Sequence, residues 1–386
     1  MSDLSILTLG DLIEFQRGYD LPKSEFKKGN IPVISSNGVL GYHNESKVKA
    51  PGITIGRSGT VGLPHFIEKD FFPHNTSLFI KDFKNNDIKY IFYLLKNLKL
   101  NDKKSGSGVP TMNRNHLHPL KIKAYSKKNE QQKISNVLSS LDSKIELNNK
   151  INKELESMAK TLYDYWFVQF DFPDVNGKPY KSSGGKMVYN QELKREVPDG
   201  WEVDSLWNIA TYFNGLAMQK HRPINDNKLK VIKIKEMNEG FGDYTEYAKN
   251  DVQKEAIINN GDILFSWSAS LDVIIWSKGT GALNQHIFKV SSKKYPRSFY
   301  YYELINYLKH FKMMANLRKT TMGHITQEHL KQSKIVIPSM NLIRTLDSKI
   351  NVFIEKQILL QQQNQELAKL RDWLLPMLMN GQVKVK

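Results

Sequence analysis

The stretch Asn129-Glu-Gln-Gln-Lys-Ile134-Ser-Asn-Val-Leu138-Ser-Ser-Leu141-Asp-Ser-Lys-Ile145-Glu-Leu-Asn148 sets its apolar residues at alternating steps of four and three, the spacing of a two-helix seam. Asn152, Leu155, Ala159 and Leu162 continue it. Adding 212 to each number gives a second seam: Leu346, Ile350, Phe353, Gln357, Leu360, Asn364, Leu367, Arg371 and Leu374. Asn152-Lys-Glu-Leu155 answers Asn364-Gln-Glu-Leu367, and Leu-Asp-Ser-Lys-Ile occurs at both 141–145 and 346–350. The pattern predicts two long helices, the first from about Asn129 to Phe170. At 1.5 Å per residue it is a rod of roughly 60 Å. Asn129 with Gln132 supplies an N-terminal cap, and Phe172-Pro173 must end the helix. Ser339 or Asn341 opens the second, which Pro376 interrupts near its end. Such seams also suit plain core packing or a homodimeric coiled coil. Intramolecular pairing is preferred because both copies carry a polar layer, Asn152 and Asn364, and buried Asn fixes register at a cost in stability.

Outward from the helices, the chain reads as one design written twice. Residues 1–128 form a mixed unit, 129–172 the central helix, 173–200 a Gly-, Pro- and Lys-rich linker, 201–340 a second mixed unit and 341–386 the second helix. Strand-like runs at Ile31–Ser36, Gly52–Gly56 and Ser77–Ile80 precede a helical pattern over Asp87–Leu100. The second unit repeats this order. Leu206–Gly215 lies over Leu9–Gly18 at offset 197, and Gly261–Trp267 takes the place of Gly52–Ser58. Asn284–Phe288 lies over Asn75–Phe79 at offset 209, Tyr300–Leu317 is the equivalent helix, and His329-Leu330 matches His116-Leu117 at offset 213. The drift implies loop insertions in the second unit.

With 386 residues, 40% hydrophobic and 11% aromatic, the chain has material for two or three cores. The absence of cysteine excludes disulfides and thiolate metal sites. Neither a signal-peptide pattern nor an apolar run of about 20 residues is present, so the expectation is a soluble, cytoplasmic protein without a membrane partner. A formal charge of +17 favours a polyanion, because neutralising phosphates releases condensed counterions.

Catalytic constellations are missing. Gly56-Arg-Ser-Gly-Thr-Val-Gly62 lacks the Gly-Lys-Ser/Thr of a phosphate-binding loop. There is no Pro-Pro, hence no Asp/Asn-Pro-Pro-aromatic tetrapeptide of amino-methyltransferases. Pro173-Asp174 with Glu192-Leu-Lys194 imitates a nuclease metal site, but in linker-like sequence, and His116-x-His118 lacks a third ligand. What remains suits duplex DNA, whose base edges are read by paired donors and acceptors while Lys and Arg hold phosphates. The candidate DNA contacts in the first unit are Arg57, Ser58, His74, Asn75, Thr76, Lys103, Lys104, Ser105, Asn113, Arg114 and Asn115. In the second they are Gln219, Lys220, His221, Arg222, Ser266, Trp267, Ser268, Asn284, Gln285, His286, Arg318, Lys319, Thr320 and His324. Any one cluster could be an ordinary polar loop, but several recur at equivalent places.

The chain resembles the specificity subunits of type I restriction-modification enzymes over essentially its whole length. The resemblance is carried by Asn129-Glu-Gln-Gln-Lys-Ile134, Leu141-Asp-Ser-Lys-Ile-Glu-Leu-Asn148, Leu162-Tyr-Asp-Tyr-Trp-Phe-Val168, Leu283-Asn-Gln-His-Ile-Phe288 and Gly323-His-Ile-Thr326. It implies an α+β fold of two target-recognition domains separated by long helices in an antiparallel intramolecular coiled coil, with pseudo-twofold repetition. It further implies a non-catalytic chain reading a bipartite, asymmetric DNA target, with the helices setting the spacer. Methyltransferase subunits, two per chain, and restriction (translocase-nuclease) subunits would join it. They, not this chain, would carry S-adenosylmethionine, ATP and Mg. In one departure, Leu342-Ile-Arg replaces Glu-Gln-Gln at the start of the second helix. The competing readings are a single-chain methyltransferase or nuclease and a coiled-coil scaffold without DNA function.

Overall fold

Two helices dominate the chain, Lys128–Tyr163 and Met340–Met379. The computed structural model describes residues 4–100, 111–268, 270–317 and 324–385. Its contacts divide the chain into two compact units, residues 1–145 with 366–386, and residues 146–365.

In the first unit, strands Glu14–Arg17, Ser77–Asp82, Gly52–Gly56 and Pro64–Ile67 form an antiparallel sheet in that spatial order. A second sheet holds Gly38–His43, Ile31–Ser35 and Phe72–Pro73, and Leu4–Thr8 pairs with Lys121–Tyr125. Asp87 caps the helix Ile88–Asn97 through Tyr90 N–H. The helix buries Tyr90, Ile91, Leu94 and Leu95 in a core shared with Ile134 and Leu138 of the first long helix and Leu375 and Leu378 of the second.

The second unit rebuilds this scaffold. Thr211–Asn214, Ile287–Ser291, Ile263–Ser266 and Asp272–Ile275 form the corresponding sheet, and Glu202–Ser205 pairs with Lys334–Ile337. Ile34 pairs with Pro73, as Ile232 does with Leu283, both in parallel. The offset therefore grows between these strands, where the second unit adds the helix Ile234–Glu239. That insertion is a folded element, not only a longer loop.

No residue of either seam is exposed. The helices run antiparallel: within the first unit Arg371 pairs with Asp142 at 2.6 Å, and Tyr93 donates to the same carboxylate. Within the second, Asn148 donates to Asn364 at 2.9 Å and to Gln363 at 2.8 Å, and Asn364 donates to Asn149. Asn364 therefore meets Asn148, not Asn152; Gln357 reaches the backbone carbonyl of Asn152.

Two local expectations are corrected and one open alternative is decided. Asn129 lies inside the first helix, which begins at Lys128; the anchor is the buried Gln131, bonded to Asp87 N–H, Asn86 and the Tyr125 carbonyl. Ser339 rather than Asn341 opens the second helix, accepting from Leu342 N–H. Pro376 does not interrupt it, since the helix runs on to Met379 and Asn380 N–H still reaches the Pro376 carbonyl. The segment 173–200 is also more ordered than a linker. It carries the hairpin Met187–Asn190 with Arg195–Pro198, and its Val197 enters the second core.

The first helix ends in a π-helical turn, Asp164–Val168, burying Trp166 and Phe167. Just before it, Tyr163 donates to the buried Glu303 at 2.6 Å. Burial pushes the Glu303 carboxyl up to about 7, against the opposing Tyr163 hydrogen bond and Arg195 charge. The folded state thus holds this proton more tightly than the unfolded chain. The stability it contributes is fully present below the ordinary carboxyl range near pH 4.5 and lost as pH rises through 7. Glu303→Gln keeps the acceptor and removes the ionisation, so thermal unfolding of the variant should lose less stability than wild type between pH 5 and 8, by up to ~3 kcal/mol. Parallel pH profiles would count against the assignment.

Candidate nucleic-acid interface

At one end of each antiparallel sheet, three connections are laced by main-chain hydrogen bonds. In the first unit Arg57 N–H and Ser58 N–H both donate to the Thr76 carbonyl, and Met112 N–H donates to the Arg57 carbonyl at 2.8 Å. Tyr19 lies in a parallel bridge with His74. Gly18 permits that approach: a Cβ there would fall 2.1 Å from the His74 carbonyl oxygen. The second unit repeats the bonds of Arg57 and Met112 and the bridge. Trp267 N–H donates to the His286 carbonyl, Ile325 N–H to the Trp267 carbonyl, Leu216 bridges Asn284, and a Cβ on Gly215 would fall 2.2 Å from the Asn284 carbonyl oxygen.

These bonds correct the overlay read from sequence by one residue. The ladders pair Thr54 with Phe79 and Leu264 with Lys289, so His74 corresponds to Asn284 and Arg57 to Trp267. The shared letters that placed Asn75 over Asn284 mislead, because a sheet counts backbone positions and not side chains.

The candidate residues meet different fates. Arg57, Ser58, His74, Asn75 and Thr76 come together, all half-buried. His74 Nδ1 lies 3.0 Å from the Thr76 hydroxyl, and burial lowers its imidazole below the ordinary histidine range, partly offset by a backbone hydrogen bond at Leu21 and then by the Asp20 charge. Asn75 is engaged internally, donating to Asp20, which also pairs with Arg17 at 3.0 Å. Asn113 caps the short helix Arg114–Leu117, leaving Arg114 and Asn115 exposed.

In the second unit Trp267, His286 and His324 form an aromatic cluster, with centroids 5.8 and 5.5 Å from the indole. Gln285 stands beside His286. Ser266 and Ser268 are buried, the Ser266 hydroxyl bonding within its own hairpin to the Ser270 carbonyl, and Asn284 is buried too. Burial leaves those three no surface to present. Gln219 and Lys220 lie exposed on a short 3-10 turn, followed by exposed Arg222, and His221 accepts from Lys249 N–H through its carbonyl. No hydrogen bond, ion pair or ring contact joins this group to Trp267 among the described residues. Lys103, Lys104, Ser105, Arg318, Lys319 and Thr320 lie outside the described residues.

Sequence reasoning missed Asn214, which accepts from the Trp267 indole N–H at 3.0 Å, and the Arg17–Asp20 pair beside Asn75. The available signal was position: these residues flank the glycines that end equivalent strands. The decoys resolve as structure. Asp174 accepts turn amides, Glu192 pairs with Lys334, and His118 accepts from Phe15 N–H. No group of three His, Asp or Glu side chains suited to a metal occurs among the described residues, and among them no helix is long and apolar enough to cross a membrane.

Comparison with known proteins defines the class. The family model for the type I restriction modification DNA specificity domain matches residues 1–157 and again 198–369, and the chain belongs to this family. It is 30% identical over 314 residues to the type I restriction enzyme MjaIX specificity subunit of Methanocaldococcus jannaschii, covering 77% of this chain and 69% of that one. It is 25% identical over 313 residues to the HindI specificity subunit of Haemophilus influenzae, covering 66% and 68%. The fold matches the crystal structure of a type I restriction-modification S subunit from M. genitalium with TM-score 0.62 at 16% identity, over 97% of this chain and 96% of that one.

Proposed function

We propose that this chain reads a bipartite, asymmetric duplex target, each unit taking one half-site through the laced loops, and delivers methyltransferase and restriction subunits to it. One observation carries the reading. The two units share a hydrogen-bonded scaffold position for position, yet present different side chains on it, which suits two readers of unlike sequence. In this reading residues 1–128 and 201–340 are the recognition domains. The long helices dock two methyltransferase subunits and set the spacer, and S-adenosylmethionine, ATP and Mg belong to the partners. Arg114, Arg222 and the other exposed cations hold phosphates. The test is to map methylated adenines in the host genome with and without the gene. Loss of one bipartite motif is expected; an unchanged methylation map would overturn the proposal.

A further inference from the structure

Arg57 and Trp267 occupy the same backbone position, and their side chains differ in what they have left to offer. Arg57 is fixed from both sides, its N–H on Thr76 and its carbonyl on Met112. Its guanidinium has no hydrogen-bond or ion-pair partner among the described residues. Nearby Arg17, by contrast, is held by Asp20. A donor fork on an anchored backbone, half-buried and unspent, matches a base edge with two adjacent acceptors. In the major groove that edge is guanine O6 and N7.

Trp267 is anchored by the same two main-chain bonds, to His286 and Ile325. Its single donor is already spent, since the indole N–H binds Asn214 Oδ1 at 3.0 Å. His286, Phe288 and His324 pack around the ring with centroids 5.5 to 5.8 Å away. What remains is rigid apolar surface. In the major groove the apolar feature of a base pair is the thymine C5-methyl group.

Resting on the DNA-reading function above, we propose that Arg57 and Trp267 are corresponding specificity determinants that make the half-sites chemically unlike. Arg57 selects a guanine in one, and Trp267 selects a thymine, through its methyl, in the other. A single substitution should therefore relax one base pair of one half-site and leave the other half-site untouched.

The test uses the full chain co-expressed with its methyltransferase subunit, first to define the methylated motif and then to bind duplexes carrying base analogues. For wild type, 7-deazaguanine at one guanine of one half-site should weaken binding about tenfold or more, and uracil for one thymine of the other should do so by several-fold. Arg57→Ala should become insensitive to the first replacement only, and Trp267→Ala to the second only. Arg57→Lys and Trp267→Phe serve as milder variants, and the untouched half-site reports that each protein is folded. If wild type selects a bipartite motif but both variants keep every analogue sensitivity, this inference is wrong and the DNA-reading function stands. Sensitivity of both variants in the same half-site would also overturn it. If wild type selects no motif, the functional reading itself falls.

Discussion

Deleting residues 143–149 together with 364–370 should shorten the spacer between the two half-sites while preserving both half-site sequences. The paired deletion removes one layer of the helical pair. Asp142 then keeps Arg371 as its partner and Asn152 keeps Gln357, while the Asn148–Asn149–Asn364 layer is lost. Seven residues are about 10 Å of helix, or about three base pairs at ~3.4 Å each. A heptad turns the helix by only ~20°, whereas three base pairs rotate the duplex by about 100° at ~10.5 per turn. Length favours the full change and twist opposes it, so a loss of about one to three base pairs is expected, read by mapping methylation in cells carrying the deletion. A change in half-site sequence, or an unchanged spacer, would show that the helices do not set it. Deleting from one helix alone should instead misalign the seam and destabilise the protein.

The second large effect concerns Gly215. Alanine there puts a Cβ 2.2 Å from the Asn284 carbonyl oxygen and 2.5 Å from that of Leu283. Both obstacles are main chain, so no side-chain rotation relieves them. The Leu216–Asn284 bridge must open, carrying with it the turn that receives Trp267 N–H. Overpacking of this kind costs about 1–3 kcal/mol, and here the strain falls on the laced loops. Gly215→Ala should therefore lower stability by that amount and weaken recognition of one half-site by about five- to 150-fold, since each 1.4 kcal/mol is a factor of ten. Gly18→Ala should do the same to the opposite half-site, its Cβ falling 2.1 Å from the His74 carbonyl oxygen. Chemical denaturation and half-site binding measure the two parts. Equal loss at both half-sites would mean that the glycine supports global folding rather than its own reader.

The heptads were legible because a four-three alternation marks one face of a long helix for covering, and no residue of either seam is exposed. Register was not. A seam names the residues that face a partner but not which layer meets which, and Asn148 proved to be the partner of Asn364. The Pro376 break was misjudged because a proline removes only its own N–H bond and crowds the turn before it, while the residues after it still bond back, as Asn380 N–H does to the Pro376 carbonyl. At the candidate interface, polarity singled out loops without separating their exposed residues from their buried ones. Ser266 and Asn284 are polar by composition yet buried. Asn214 and Asp20 reach partners 53 and 55 residues distant in sequence, and their place beside the strand-end glycines marks their position without naming those partners.

The lacing of Arg57 and Trp267 bears on how the molecule can change. Any residue but proline can supply the N–H and carbonyl that hold this position, and the structure already accommodates a cation in one copy and an indole in the other. The main-chain bonds at this site are therefore indifferent to the side chain it carries. If this position reads a base as proposed, one codon there would redirect what is read while the main-chain bonds stay in place, although replacing Trp267 would also forfeit its bond to Asn214 and its packing with His286, Phe288 and His324.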